Sequence, residues 1–149
     1  MAVEIVEGIL MPAQPQRLKR GYGIFRNLQI NTADGQVRTF DKVATGEPIT
    51  AEVTKGGAGR FYFAKSDGAL GLIGVRRSDG SRLYGHFSNF APLLIVIGAL
   101  ASLGMVARFG FGVDFPLTAS VLGPLLLIAG LYLGQQKATA RRAFEADGG

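Results

Sequence analysis

Phe90-Ala-Pro-Leu-Leu-Ile-Val-Ile-Gly-Ala-Leu-Ala-Ser-Leu-Gly-Met-Val-Ala107 carries no charged side chain, and neither does Phe115-Pro-Leu-Thr-Ala-Ser-Val-Leu-Gly-Pro-Leu-Leu-Leu-Ile-Ala-Gly-Leu-Tyr-Leu-Gly134. The uncharged gaps around them run 21 residues between His86 and Arg108 and 22 between Asp114 and Lys137. As a helix the first stretch reaches roughly 27 Å, close to the hydrocarbon thickness of about 30 Å, and the second slightly more. A buried soluble pair is the alternative. It would require another layer to cover two helices that are apolar on all sides, and the preceding 89 residues are too few and too polar for that. The sequence therefore predicts a transmembrane hairpin over residues 90–134, with helices at 90–107 and 115–134, a connection at 108–114 and a tail at 135–149.

Flanking charge orients this hairpin. Arg76, Arg77 and Arg82 precede it and Lys137, Arg141 and Arg142 follow, whereas the connection holds only Arg108 against Asp114. The positive-inside bias places both termini in the cytoplasm of a multi-pass protein of the cell inner (plasma) membrane. The amino terminus, Met-Ala-Val-Glu-Ile-Val-Glu with Pro12 and Pro15 beyond it, has acids where a signal peptide carries its basic region. Arg76, Arg77, Arg82 and His86 are expected to face membrane lipids at the headgroup level, as topology signals in the first instance.

Inside the spans the polar side chains are Ser102, Thr118 and Ser120, with no ionisable group to relay a proton or an ion. Small residues recur instead. Gly98 and Ser102 lie four apart, and Ala119, Gly123, Gly130 and Gly134 follow at spacings of four, seven and four. That stripe is expected to pack helices, against a larger membrane protein or a second copy in a homo-oligomer. Pro124 interrupts the ladder of the second helix and is expected to kink it toward protein.

The first 89 residues read as a different kind of unit. Ile49, Ala51 and Val53 alternate with polar neighbours, as do Phe61 and Phe63, which is the period of strands. Asp-Gly pairs at 34–35, 67–68 and 79–80 suit hairpin turns, because both positions tolerate positive φ. Adding Val3–Leu10, Tyr22–Asn31, Gln36–Phe40, Leu70–Arg76 and Ser81–Phe87 predicts five to seven antiparallel strands, enough for a small β-barrel of OB or SH3 size. The 13 glycines of this region oppose any internal helix. Met11–Arg20 breaks the pattern, and Lys55-Gly-Gly-Ala-Gly59 reads as a mobile loop. Ser88 or Asn89 can cap the first membrane helix. The fold class is thus α+β: an N-terminal barrel domain over 1–89 followed by the hairpin.

Composition narrows the chemistry. Of 149 residues 48% are hydrophobic and 18% charged, with no cysteine and one histidine. Thiolate catalysis and disulfides are excluded, and a metal site lacks its usual ligands. Lys55-Gly-Gly-Ala-Gly-Arg60 could wrap a phosphate, yet a P-loop runs into a helix and this stretch runs into Arg60-Phe-Tyr-Phe63. Those aromatics beside Lys65 could stack bases. Phe61 and Phe63 share one face, however, which predicts a core position and leaves Tyr62 alone outside. Twelve Lys and Arg against eight Asp and Glu before residue 90 is too modest an excess to indicate nucleic acid. Asp34, Asp67 and Asp79 fall in turns, where an aspartate bonds its own backbone. His86 near Ser81 or Ser88 lacks a third triad member. No catalytic, cofactor or metal residue is assigned. The expected function is a non-enzymatic accessory or adaptor subunit of a membrane assembly, and the alternative is a small homo-oligomeric two-helix pore.

Overall fold

A computed structural model describes residues 3–19, 22–66, 69–85, 90–114 and 116–147, leaving aside the side chains of residues 19, 66, 90, 119 and 120. The chain divides into two compact units, Met1–Phe87 with Thr139–Gly149, and Ser88–Ala138. The first unit thus takes in most of the segment that the sequence assigns to a tail at 135–149.

Seven strands form one sheet: β1 (Val3–Leu10), β2 (Arg17–Lys19), β3 (Tyr22–Thr32), β4 (Val37–Gly46), β5 (Gly57–Ser66), β6 (Ala69–Arg77) and β7 (Arg82–Tyr84). Five of them close a barrel in the order β1-β5-β6-β4-β3, with β1 returning to pair β3. All pairings are antiparallel except β4 with β6. This is a Greek-key arrangement that the OB-fold shares. β2 extends β3, and β7 pairs with β6 outside the closed ring. Closure depends on Gly8. A Cβ there would collide with the carbonyl of Asn31, so only glycine lets β1 bend across from β5 to β3.

Inward positions supply the core: Val6, Leu10, Phe25, Leu28, Ile30, Val43, Phe61, Phe63, Leu72 and Val75 are all at most 3% exposed. Phe40 stacks on Phe63 with ring centroids 4.2 Å apart. Two of the expected Asp-Gly turns are present, joining β3 to β4 and β6 to β7, with Gly35 and Gly80 at φ 80° and 84°. Asp34 and Asp79 serve these turns, the second accepting the Ser81 amide at 2.7 Å. The third pair, Asp67-Gly68, lies outside the described residues, between two strands that pair with each other.

Three expectations are corrected. Ile49–Lys55 is a helix, α1, not a strand. Its buried residues Ile49, Thr50, Glu52 and Val53 follow a helical period, and exposed Ala51 together with buried Thr50 and Glu52 separates the two patterns. Ile49 and Val53 are fully buried in the barrel core. Second, the glycine run is not a loop, because Gly57 already opens β5 and Gly57–Gly59 pair with β1. Gly59 is where β5 passes so close to β6 that a Cβ would strike the Arg76 carbonyl. Third, Tyr62 points out of the barrel as its register requires, yet it is 0% exposed.

Its cover is the last turn of α3 (Leu117–Ala146). Phe144 meets the Tyr62 ring edge-on at 4.8 Å and Tyr84 at 5.6 Å. Beneath it Gly74 leaves the space, since a Cβ there would lie 2.5 Å from Phe144 Cδ2. A bulge sits at the same place: Tyr62 pairs Gly74 and Phe63 pairs Leu72, so Ile73 is extra and joins the outer cluster with Ala64 and Ala140. Met11–Arg20 is likewise not wholly irregular, because Arg17–Lys19 pair with β3.

The second unit pairs α2 (Phe90–Phe111) with the earlier part of α3, running antiparallel. α2 continues four residues past its expected end, and Gly112 at φ 67° follows it, which shortens the connection. α3 passes through Pro124 without interruption.

Phe63→Ala and Tyr62→Ala should each cost about 3 to 5 kcal/mol, because each removes a fully buried ring and leaves a cavity. Tyr62→Phe keeps the ring and should cost only about 1 to 3 kcal/mol, the loss of one hydrogen bond to a carboxylate. Urea unfolding of the full chain in detergent, followed by far-UV circular dichroism, checks both. A silent Tyr62→Ala would show that Phe144 does not cover the outer face.

Candidate functional site

The outer face of β1, β5, β6 and β7 carries two neighbouring rows defined by strand register. Ile5, Tyr62, Gly74 and Tyr84 form the first, the aromatic seat of Phe144. The second consists of Glu7, Arg60, Arg76 and Arg82. Three arginines thus stand at directly opposed positions on three adjacent strands, an arrangement that like-charge repulsion disfavours.

Oxygen atoms gather on this row. Arg60 Nε donates to Glu7 Oε2 at 2.9 Å, and its Nη1 lies 3.6 Å from Asp147 Oδ2. Arg76 Nη2 donates to the Phe144 carbonyl at 2.7 Å, meeting the electronegative end of α3. The Arg76 guanidinium also lies 5.4 Å from the Phe144 ring centroid. The Tyr62 hydroxyl donates to Asp147. Burial first, and then this bond to a carboxylate, push the Tyr62 phenol up to about 12. The Asp147 carboxyl is held below its usual range, chiefly by the Tyr62 hydroxyl and also by Arg60 and Arg76.

Past the row an open groove of about 720 Å³ runs between the end of β1, the β3–β4 turn, the start of β5 and the β6–β7 turn. Arg60, Arg76, Arg77 and Arg82 line it, with Asn31, Thr32 and Ser78, and among the described residues Glu7 is its one acidic member. Arg77 is tied from the other side: Nε donates to Glu52 Oε1 at 2.6 Å and Nη2 to Glu52 Oε2. This fork holds α1 against β6, and it draws the largely buried Glu52 carboxyl below its ordinary value.

The residues predicted from sequence fall apart into separate roles. Of the headgroup set, Arg76 is bonded to Phe144 and Arg77 to Glu52, Arg82 continues the arginine row, and His86 lies outside the described residues. Arg60-Phe-Tyr-Phe63 offers no ring for stacking a base, since all three rings are buried. Of the glycine stripe, Gly98, Gly123 and Gly130 lie in the contact between α2 and α3. A Cβ on Gly123 would come within 2.6 Å of the Ser102 amide, one on Gly130 within 2.8 Å of Ile95, and one on Gly98 into the Leu127 backbone. Ser102 donates its hydroxyl to the Gly98 carbonyl at 2.7 Å. Gly134 has open space, and the Ala119 and Ser120 side chains are outside the described set. Among the described residues no group of His, Asp or Glu is placed to hold a metal ion. No protein family, curated protein or solved structure matches the chain.

The sequence missed the row itself and Asp147, because both depend on register and on a contact 85 residues apart. It also missed Glu52, whose expected place in a strand hid its approach to Arg77.

Acid should loosen the barrel unit through Glu52. Its folded pKa lies below the ordinary 4.5, so the stabilisation is complete above that value and disappears as pH falls through the lower folded one. Glu52→Gln should therefore lower stability at pH 7 and flatten the decline below about pH 4.5. Urea midpoints measured between pH 7 and pH 3 check this, and parallel curves for the two proteins would exclude Glu52 as a source of acid sensitivity.

Proposed function

We propose that the protein is a non-enzymatic, membrane-anchored accessory or adaptor subunit, with α2 and the apolar part of α3 crossing the bilayer as a hairpin and the barrel presenting the binding surface. One observation carries this: the helix pair is closed by glycines on the inside while its large apolar side chains remain outward. Residues 91–111 are long and apolar enough to cross a membrane, and only 11% of the stretch is buried. Leu100, Leu103 and Phe109 on α2 are 65%, 65% and 67% exposed, and Ile128 on α3 is 64%. Contiguous apolar surface of this extent requires lipid or protein against it.

Arg108 and Asp114 are the charges of the connection, and they lie 3.7 Å apart. The remaining basic residues lie before the first helix and after the apolar part of the second, the two ends that a hairpin puts on one side of a membrane, which supports an inner (plasma) membrane, multi-pass placement with both termini cytoplasmic. Gly98, Gly123 and Gly130 are taken up in the contact between the chain's own two helices, so a larger membrane partner would meet the outward leucines or the barrel.

The protein should stay in the membrane pellet through alkaline carbonate extraction. Protease applied to the extracellular face of sealed spheroplasts should leave the barrel and the segment after Gly134 intact. Release by carbonate, or loss of that segment, overturns the anchor or its orientation. In mild detergent a companion subunit of different sequence is expected. A uniform high-order homo-oligomer would instead favour a two-helix pore.

A further inference from the structure

We propose that the arginine-lined groove at the end of the barrel is a binding site for a phosphate-bearing anion, either a soluble phosphate ester or the headgroup of an acidic lipid. Four of its lining residues are arginines and one is acidic, a composition that a merely solvated groove does not need. Arg60, Arg76 and Arg82 are aligned by strand pairing, so the sheet itself fixes the spacing of their backbones and sends the three side chains from one face. Opposed like charges cost stability, and an anion set across them converts that cost into attraction. The row already attracts oxygen from within the chain, as the Asp147 carboxylate and the Phe144 carbonyl show. Those contacts lie toward the aromatic row, whereas the groove opens toward the β6–β7 turn and brings Arg77, Ser78, Asn31 and Thr32 to the same space.

A phosphate suits this geometry better than a single carboxylate. Several guanidinium groups around one space can engage three or more oxygens at once, and hydroxyl and amide donors complete the shell. A volume of about 720 Å³ also exceeds what one carboxylate fills and lies in the ordinary range of small-molecule sites. Exposure agrees, since the Arg60 and Arg77 side chains remain 47% and 36% accessible while paired with their glutamates. At Arg60 the exchange of the exposed Glu7 carboxylate for a better-placed phosphate is a modest step, because exposed ion pairs contribute little, whereas the buried Glu52 stays with Arg77.

The test is calorimetric titration of the full chain in neutral maltoside micelles at constant ionic strength. The probes are pyrophosphate and, separately, dihexanoylphosphatidic acid below its micellar concentration, with dihexanoylphosphatidylcholine as the uncharged control. Saturable binding of either anion is expected, weakened about tenfold or more in Arg60→Gln/Arg82→Gln. Arg38→Gln, which removes an exposed arginine outside the groove, should bind as the wild type does. Preference for pyrophosphate identifies a soluble ester, and preference for phosphatidic acid a lipid headgroup. Equal binding shows that the phosphate alone is recognised. Should the double variant fail to fold by circular dichroism, Arg82→Gln on the short strand β7 carries the same comparison with a severalfold loss. Saturation by neither anion, or undiminished affinity in the folded variant, overturns the site. Resistance to carbonate extraction is independent of this result, so failure here leaves the membrane anchor standing.

Discussion

The Phe144 ring lying on Gly74 determines what β5 and β6 can be. A strand on the surface of a small barrel normally has one buried face, but residues 61–64 and 71–75 are buried throughout. The last turn of α3 supplies the missing layer, and the glycine supplies the depression that receives it. Several features depend on this seat. The bulge at Ile73 turns an additional apolar side chain toward the helix, Tyr62 gains a hydroxyl partner, and Arg76 finds the carbonyls of a helix end. Removing the ring would expose an aromatic row and undo the packing that holds the Phe144 carbonyl against Arg76 and the Asp147 carboxylate near Tyr62 and Arg60.

Much of the barrel was legible, for local reasons. β1 occupies the expected Val3–Leu10, and β3 and β6 extend their expected segments by only one residue at an end or at both. Asp-Gly turns at 34–35 and 79–80 act within four residues, which is the range over which sequence dictates conformation. Ile49–Val53 failed for an equally local reason. Five residues with apolar groups at the first, third and fifth positions satisfy both periods at the two ends, so the three central residues decide; alanine fits either environment, and Thr50 and Glu52 are buried only through the partners they find in Thr45 and Arg77. The glycine run failed differently. Glycine usually signals a turn, but here Gly57 and Gly59 are strand residues, and Gly59, like Gly8 opposite it in β1, stands where backbones cross too closely for any side chain.

The arginine row was illegible because it exists only in register. Arg60, Arg76 and Arg82 are separated by 16 and 6 positions, and no spacing rule relates them until β5, β6 and β7 are aligned. A shift of one residue in β5 would turn Arg60 inward and Phe61 outward. The inward phenylalanines therefore set the row as well as the core: burying Phe61 and Phe63 obliges Arg60 and Tyr62 to share the outer face. Apolar packing thus positions the charges, and the charges do not have to organise themselves.

The helix pair follows the opposite logic. Its contact is made by the smallest residues, Gly98, Gly123 and Gly130, each at a point where backbone meets backbone or the base of a side chain. Close approach of this kind gains dispersion contacts and needs no hydrophobic driving force, so it is available to helices surrounded by hydrocarbon. It also leaves the leucines and phenylalanines outward. The arginine row and the acids that answer it lie in the barrel unit, whereas α2 and its partner segment, apart from Arg108 and the residues from Gln135 onward, hold mainly aliphatic and aromatic groups with the hydroxyls of Ser102, Thr118, Ser120 and Tyr132. Recognition of a charged ligand accordingly belongs to the barrel. Between Arg108 and Asp114 at one end and Lys137 at the other, the pair turns large apolar side chains outward, and that chemistry suits an apolar surrounding.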